Sequence, residues 1–274
     1  TKVVVVILAL YFLVFLFFQQ SLTGVVAFGA AFLTYLLFQI FQFKKVYRLI
    51  VLIGLLVLIV MPFYYVHKVV QDFYNIKKVD EKTISNVTDK GNLYKHNFNN
   101  LLVENGNYVY LYVCEKEMRE EWNKLSDLKF DSLDANGFTV QSTLERYLTS
   151  KGLKKDAAGV LALKKQDIRN VENGIANVIF QSRKYSLYPR IYQTVWEYYV
   201  YTHTGDANYQ SFSQRIEFGK AAVSIIKDNL WFGVGTGNWR EAFKNAYQKN
   251  DSKLREELYA SSHNQYLNYL VKFG

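Results

Sequence analysis

Two side chains in the C-terminal part of the chain are suited to chemistry on an oxygen-rich substrate. Arg215 falls in the first turn of an amphipathic stretch whose apolar positions Ile216, Val223, Ile226 and Leu230 share one face. A long cation there opposes the helix dipole, so it reads either as a surface ion pair or as the binder of a nearby anion. Ser211 and Gln214 give that stretch a capping-box pattern. His263 follows Ser261 and Ser262, and Ser262 with Gln265 fits a second capping box, which predicts the histidine inside the first turn of a new helix. A neutral imidazole at a helix N-terminus is a reasonable general base, and equally a capping or packing residue.

Between them runs Gly233-Val-Gly-Thr-Gly237. No Gly-Lys-Ser/Thr follows, so it is no phosphate-binding P-loop. Asn238 stands after the two-residue gap and no strand precedes the run, so the dinucleotide fingerprint fails as well. A sharp, closely packed turn after a helix is the expected role.

The rest of the chain gives little support to other chemistries. There is no Asp-x-Asp, no His-x-x-x-His and no Gly-x-Ser-x-Gly, and His67, His96, His203 and His263 are far apart. No metal or other cofactor is expected. The single Cys114 excludes an intrachain disulfide and, among aromatic and aliphatic neighbours, reads as a small buried hydrophobe.

The elements that must position Arg215 and His263 begin with three apolar runs, about 3–18, 22–42 and 49–66, each close to the roughly 20 residues a bilayer-spanning helix requires. They identify a membrane protein despite a mean hydropathy of −0.07. A cleaved leader does not fit residues 1–24, because two further apolar runs follow. Thr1 and the apolar run broken off at Gly274 read as the ends of an internal stretch of a longer protein. The only charges before residue 67 are Lys2, Lys44, Lys45 and Arg48, which places those flanks in the cytoplasm and everything after Val66 outside.

The expected fold is therefore mainly α: a multi-pass transmembrane helical protein with a large, mostly helical extracytoplasmic loop domain over 67–262, and a further membrane helix starting at 263–274. The loop carries 28 basic residues (33 minus those 4 and Lys272) against 24 acidic ones. That weak positive balance suits anionic headgroups or a lipid diphosphate, and nothing resembles a nucleic-acid module. Within the loop, Asn105-Gly106 marks a short hairpin. Helices are expected over 115–124, 143–150, 154–164, 166–181 and 188–203, the second opened by a Ser142/Glu145 capping box and ended by Gly152. The tyrosine-rich 185–201 reads as an interfacial belt, as ordinary packing or as a sugar platform, with Arg146, Lys151, Arg183 and Arg190 as neighbouring cations.

The succession Arg215, helix, Trp231-Phe-Gly-Val-Gly-Thr-Gly-Asn, polar spacer and His263-Asn-Gln-Tyr-Leu resembles the periplasmic segment of the O-antigen ligase and O-antigen polymerase superfamily. Glu104-Asn-Gly-Asn-Tyr-Val-Tyr, Arg146-Tyr-Leu-Thr-Ser-Lys-Gly-Leu and Val171-Glu-Asn-Gly-Ile-Ala-Asn resemble a branch of it with an enlarged loop, so the likeness covers most of 49–274. The resemblance implies a metal-independent glycosyltransferase of the bacterial inner membrane. Its donor would be a glycan on undecaprenyl diphosphate, and its leading acceptor the lipid A core. Another lipid-linked repeat (polymerase or capsule assembly) or a protein hydroxyl are the alternatives. His263 would be the base and Arg215 the diphosphate binder, with Arg190 and Arg146 as further anion contacts; charge-assisted arginine bonds match phosphate oxygens. The alternative of another class is a membrane-anchored glycan-binding receptor or scaffold.

Overall fold

The computed structural model describes residues 2–19, 22–42 and 44–274, and the chain is mainly helical. Helices α1 (Lys2–Phe18) and α2 (Leu22–Gln39) pack on each other, a 3-10 turn (Ile40–Gln42) follows, and α3 (Lys45–Tyr74) comes next. Among the described residues, α3 alone is long and apolar enough to cross a membrane; α1 and α2 contribute the shorter apolar stretches Val3–Leu16 and Val26–Gln39. Where the sequence places a span ending at Val66, the helix continues without a break to Tyr74, with Pro62 inside it. Its 30 residues make a rod of roughly 45 Å at 1.5 Å per residue.

The continuation has a cause in packing. The chain divides into two compact units, Thr1–Tyr192 and Gln193–Gly274, and in the first the last turns of α3 are driven into the folded domain. Val69 and Phe73 are each 1% exposed, and Phe73 meets Tyr192 edge to face at 5.2 Å. Strands β1 (Val103–Glu104) and β2 (Asn107–Tyr108) form the expected hairpin, with both turn residues, Asn105 and Gly106, at positive φ, as a tight two-residue turn requires. The tip presses on the chain just after α3: Lys77 N donates to Gly106 O at 2.9 Å, and a Cβ on Gly106 would fall 2.5 Å from Asn75 O.

The core of this unit gathers Met118, Trp122, Phe130, Leu144, Tyr147, Leu148 and Val160, all fully buried. They come from α4 (Glu115–Leu125), α5 (Val140–Ser150), α6 (Ala157–Leu161) and the loops between; α7 (Lys165–Glu172), α8 (Ile179–Ser182) and the start of α9 (Tyr188–Thr204) complete it. Acidic residues at the start of α4 and Lys124 at its end complement the helix dipole. Thr139 caps α5 by accepting from Ser142 N, in place of the expected Ser142/Glu145 box. Asp156 caps α6 by accepting from Gly159 N at 2.8 Å. The helix expected over 166–181 is broken after Glu172, where Gly174 takes φ +72°, and resumes only as the short α8. Cys114 is buried, as its neighbours predict.

The second unit packs α10 (Ser211–Asp228), α11 (Gly235–Lys249) and α12 (Gln265–Phe273) around Phe218, Ala221, Ala222, Ile225, Phe243, Ala246, Tyr247 and Val271. The small residues Ala221, Ala222 and Ala246 give the three helices a close approach, and Tyr247 adds a hydrogen bond to Ala260 O at 2.6 Å.

Candidate active site

In the second unit, α10 begins where a carboxylate from an earlier helix meets it. Glu197 Oε2 accepts from Phe212 N at 2.6 Å, and Ser213 Oγ donates to Glu197 O at 3.0 Å. This replaces the expected Ser211/Gln214 box: the residue before the helix, Gln210, makes no side-chain cap. Arg215, expected in the first turn, is the fifth residue of α10 and opens its second turn; it is exposed, and its guanidinium has no ion-pair or hydrogen-bond partner among the described residues. One helical turn on, Phe218 is buried, and its ring lies 5.2 Å from that of His263, tilted by 36°. Residues three apart on a helix are surface neighbours, so Phe218 ties the Arg215 face of α10 to the histidine.

His263 does not sit inside α12. Asn264 is the N-cap, its Oδ1 accepting from Tyr266 N at 2.9 Å and Leu267 N at 3.2 Å. The histidine precedes it at φ +50°, a left-handed conformation that a non-glycine residue holds only when its surroundings dictate it. Ser262 and Asn268 supply those surroundings: Ser262 Oγ donates to Asn268 Oδ1 at 2.8 Å, Ser262 N donates to the same oxygen at 3.2 Å, and Asn264 N donates to Ser262 Oγ at 3.2 Å. The imidazole is exposed and has no hydrogen-bond partner among the described residues. The turn thus presents a solvent-facing nitrogen base on a fixed backbone.

The glycine run takes the part its sequence predicts. Gly233 has φ +61°, and a Cβ there would lie 2.3 Å from the Lys272 carbonyl carbon; Val234 N donates to Val271 O at 2.9 Å. The turn therefore locks the α10–α11 connection onto the end of α12, the helix that opens just after His263.

A cavity of about 300 Å³ is lined by Trp239, Arg240, Phe243 and Lys244 of α11 and by Glu256, Tyr259, Ala260 and Ser261 of the segment that leads to His263. Lys244 Nζ stands 3.6 Å from Glu256 Oε2, and Tyr259 stacks on Tyr247 at 4.3 Å. Sequence reasoning passed over these residues. The signal was the recurrence of positions 239, 240, 243 and 244 on one side of α11. Behind α10, the buried Glu217 accepts from Ser252 Oγ at 2.5 Å and from Lys220 Nζ at 3.0 Å, and also from Tyr201 OH. Burial pushes this carboxyl up, and those three donors outweigh it, leaving it below its ordinary value.

The other two arginines lie in the first unit. Arg146, on α5, points Nη2 at Glu104 Oε1 at 2.7 Å and Nε at the same oxygen at 2.8 Å. Glu104 is 1% exposed; its other oxygen accepts from Asn177 Nδ2 at 2.5 Å. Burial pushes the Glu104 carboxyl up, against the pull of Arg146 and Asn177. Asn105 N donates to Tyr192 OH at 2.8 Å, and Asn105 Nδ2 to Ser150 O at 2.8 Å. The three upstream motifs opened by Glu104, Arg146 and Val171 thus converge on one buried polar network. Arg190 is exposed in the first turn of α9. The structure sets the His263 ring against Phe218, three residues along α10 from Arg215, and commits Arg146 to a buried carboxylate. Among the described residues, no group of three or more His, Cys, Asp or Glu side chains gathers as metal ligands would.

The chain thus joins one helix long and apolar enough to cross a membrane to a helical unit that exposes an arginine and a histidine. The model of the O-antigen ligase family matches residues 138–274, half of the chain. The chain belongs to that family, which is integral to membranes and carries out ligase-like or polymerase-like glycan transfer. No curated protein and no solved structure matches it.

Proposed function

We propose that the chain is a metal-independent glycosyltransferase that moves a glycan from undecaprenyl diphosphate to an acceptor hydroxyl, the leading acceptor being the lipid A core of lipopolysaccharide. The observation that carries this reading is the packing of the exposed His263 on Phe218 of α10, the helix that also carries the partnerless Arg215. His263 takes the proton of the acceptor hydroxyl as its oxygen forms a bond to the anomeric carbon of the glycan. The bond from that carbon to the carrier diphosphate breaks, and its electron pair leaves on the phosphate oxygen. Arg215 neutralises the charge that develops there, with hydrogen bonds that strengthen as the bond breaks. Trp239 and Tyr259 in the adjoining cavity offer aromatic faces to pyranose rings, and Arg240 offers a cation for a core phosphate. Arg190 is a further anion contact in this reading, and Arg146 is a structural residue.

In the same reading α1, α2 and the part of α3 up to Val66 lie in the inner membrane, residues 67–262 lie in the periplasm, and α12 begins a further membrane helix. The test is a lipopolysaccharide gel from cells lacking the full-length gene, complemented with wild type or with His263→Ala. Loss of the O-chain ladder in the mutant, with polymer accumulating on the lipid carrier, is the expected result. A wild-type ladder with His263→Ala overturns the base assignment. Core capped by a single repeat moves the assignment to a polymerase.

A further inference from the structure

The first unit has a second concave feature that the transfer chemistry does not use. Where α3 leaves its apolar stretch, a groove of about 630 Å³ opens between its last turns and the segment joining α8 to α9. Lys68 and Asp72 project from α3, and Arg183, Tyr185 and Tyr188 from the other wall, with Tyr64 one turn before Lys68. The Arg183 guanidinium lies over the Tyr188 ring, 4.0 Å from its centre, and Tyr188 OH donates to Asp72 at 3.3 Å. Lys68 and Arg183 form no ion pair among the described residues, and Asp72, which accepts from Tyr188 OH, is the one carboxylate that lines the groove with them, so the lining carries one more cation than anion.

The position of the groove narrows the ligand. Val66 ends the charge-free part of the helix that is able to cross a membrane, so Lys68 and Asp72 stand within about two turns of the hydrocarbon boundary. Tyr64 is 67% exposed and Tyr185 70%, as tyrosines of an interfacial belt are. At that depth the abundant anions are lipid phosphates. An arginine stacked on an aromatic ring, beside a lysine, matches a phosphate; Asp72 and the tyrosine hydroxyls match the hydroxyls of a headgroup or sugar.

We propose that this groove is a binding site for the phosphate of a membrane lipid, with Lys68 and Arg183 as the phosphate ligands and Asp72 as the acceptor for a headgroup hydroxyl. Two lipids share this chemistry: a phospholipid such as phosphatidylglycerol and the polyprenyl diphosphate carrier. The inference rests on the membrane placement of α3 and not on the assignment of His263 or Arg215.

The test is native mass spectrometry of the full-length protein in detergent, titrated separately with phosphatidylglycerol, undecaprenyl diphosphate and phosphate-free diacylglycerol. Wild type, Lys68→Gln and Arg183→Gln are compared. Both replaced side chains are exposed, and an unchanged Tm confirms that each variant is folded. The expected result is retention of a phosphate lipid by wild type, no retention of diacylglycerol, and about tenfold weaker retention in each variant, the size of one lost charge-assisted hydrogen bond. Loss of phosphatidylglycerol alone assigns the groove to bulk lipid, and loss of undecaprenyl diphosphate alone assigns it to the carrier. Equal retention of every lipid by all three proteins overturns the proposal. Because no transfer is measured, a negative result here and an active His263→Ala are separate failures.

Discussion

Arg146 and Arg215 are both carried on helices flanked by buried side chains, yet their surroundings differ. Arg146 meets a carboxylate that is 1% exposed, inside a network that joins the β1–β2 hairpin, α5 and the loop before α8. Arg215 stands exposed at the start of the second turn of α10 with no partner among the described residues. Arg146 of the first unit serves that unit's own architecture; Arg215 of the second has no such role among the described residues. An arginine in a motif is therefore not by itself a substrate contact, and burial of a matching carboxylate decides which kind it is.

The largest effect that tests this contrast comes from breaking the first pair. Glu104→Ala leaves Arg146 partly buried without its anion, and Arg146→Ala strands the carboxylate. Either change is expected to destabilise the first unit by about 3 kcal/mol or more in chemical denaturation. Arg215→Ala is expected to leave stability within about 0.5 kcal/mol and to lower glycan transfer about a hundredfold. If Arg215→Ala unfolds the protein while Arg146→Ala is silent, the contrast is inverted and the assignment of Arg215 fails.

The glycine run sharpens it on the side of the second unit. A side chain at Gly233 would need φ +61° and would collide with the Lys272 carbonyl, whereas Gly237 is helical with nothing within 4 Å of an added Cβ. Gly233→Ala is expected to cost about 2 kcal/mol or more, from the left-handed conformation plus displacement of α12. Gly237→Ala is expected to gain up to about 1 kcal/mol. Both are read from thermal unfolding, and the loss at Gly233 should be accompanied by loss of transfer, since α12 starts just after His263.

The hairpin at Asn105-Gly106, the helices over 115–125 and 188–204 and the packed turn at Gly233 were legible in the sequence, because turn chemistry and periodicity are local. The long-range partners were not. Glu104 and Arg146 are 42 residues apart, and Glu197 caps a helix 15 residues further on. No local pattern announces either. At Ser262 the capping box was misplaced for a related reason. Asn264 competes with Ser262 for the cap and wins, because Ser262 is held by Asn268 from within α12. The break after Glu172 had a local signal in Asn173-Gly174, which helical periodicity on both sides overrode.

The smallest effect concerns a cation of the first unit that the contrast leaves as an exception. Lys155 is 3% exposed, its Nζ donates only to Tyr108 O at 3.3 Å, and it has no carboxylate at ion-pair distance among the described residues. Burial pulls its pKa down from 10.5 to about 8, against the raising influence of the Glu145 and Asp156 charges. In the unfolded chain the amine keeps its proton until about 10.5, while the folded protein releases it from about 8. Across that window the unfolded state binds more protons, so the contribution of Lys155 to stability rises with pH; below 8 both states are protonated and the burial cost stands in full. The expected gain is about 1 kcal/mol over the first pH unit above 8, read from denaturation midpoints. Lys155→Met should remove that rise and stabilise the protein at neutral pH, because an apolar side chain of similar length fills the site without a charge to desolvate. A Lys155→Met protein that keeps the same rise would place the titration elsewhere, and one that unfolds at neutral pH would show that the amine is needed by the Tyr108 carbonyl, as Arg146 is by Glu104.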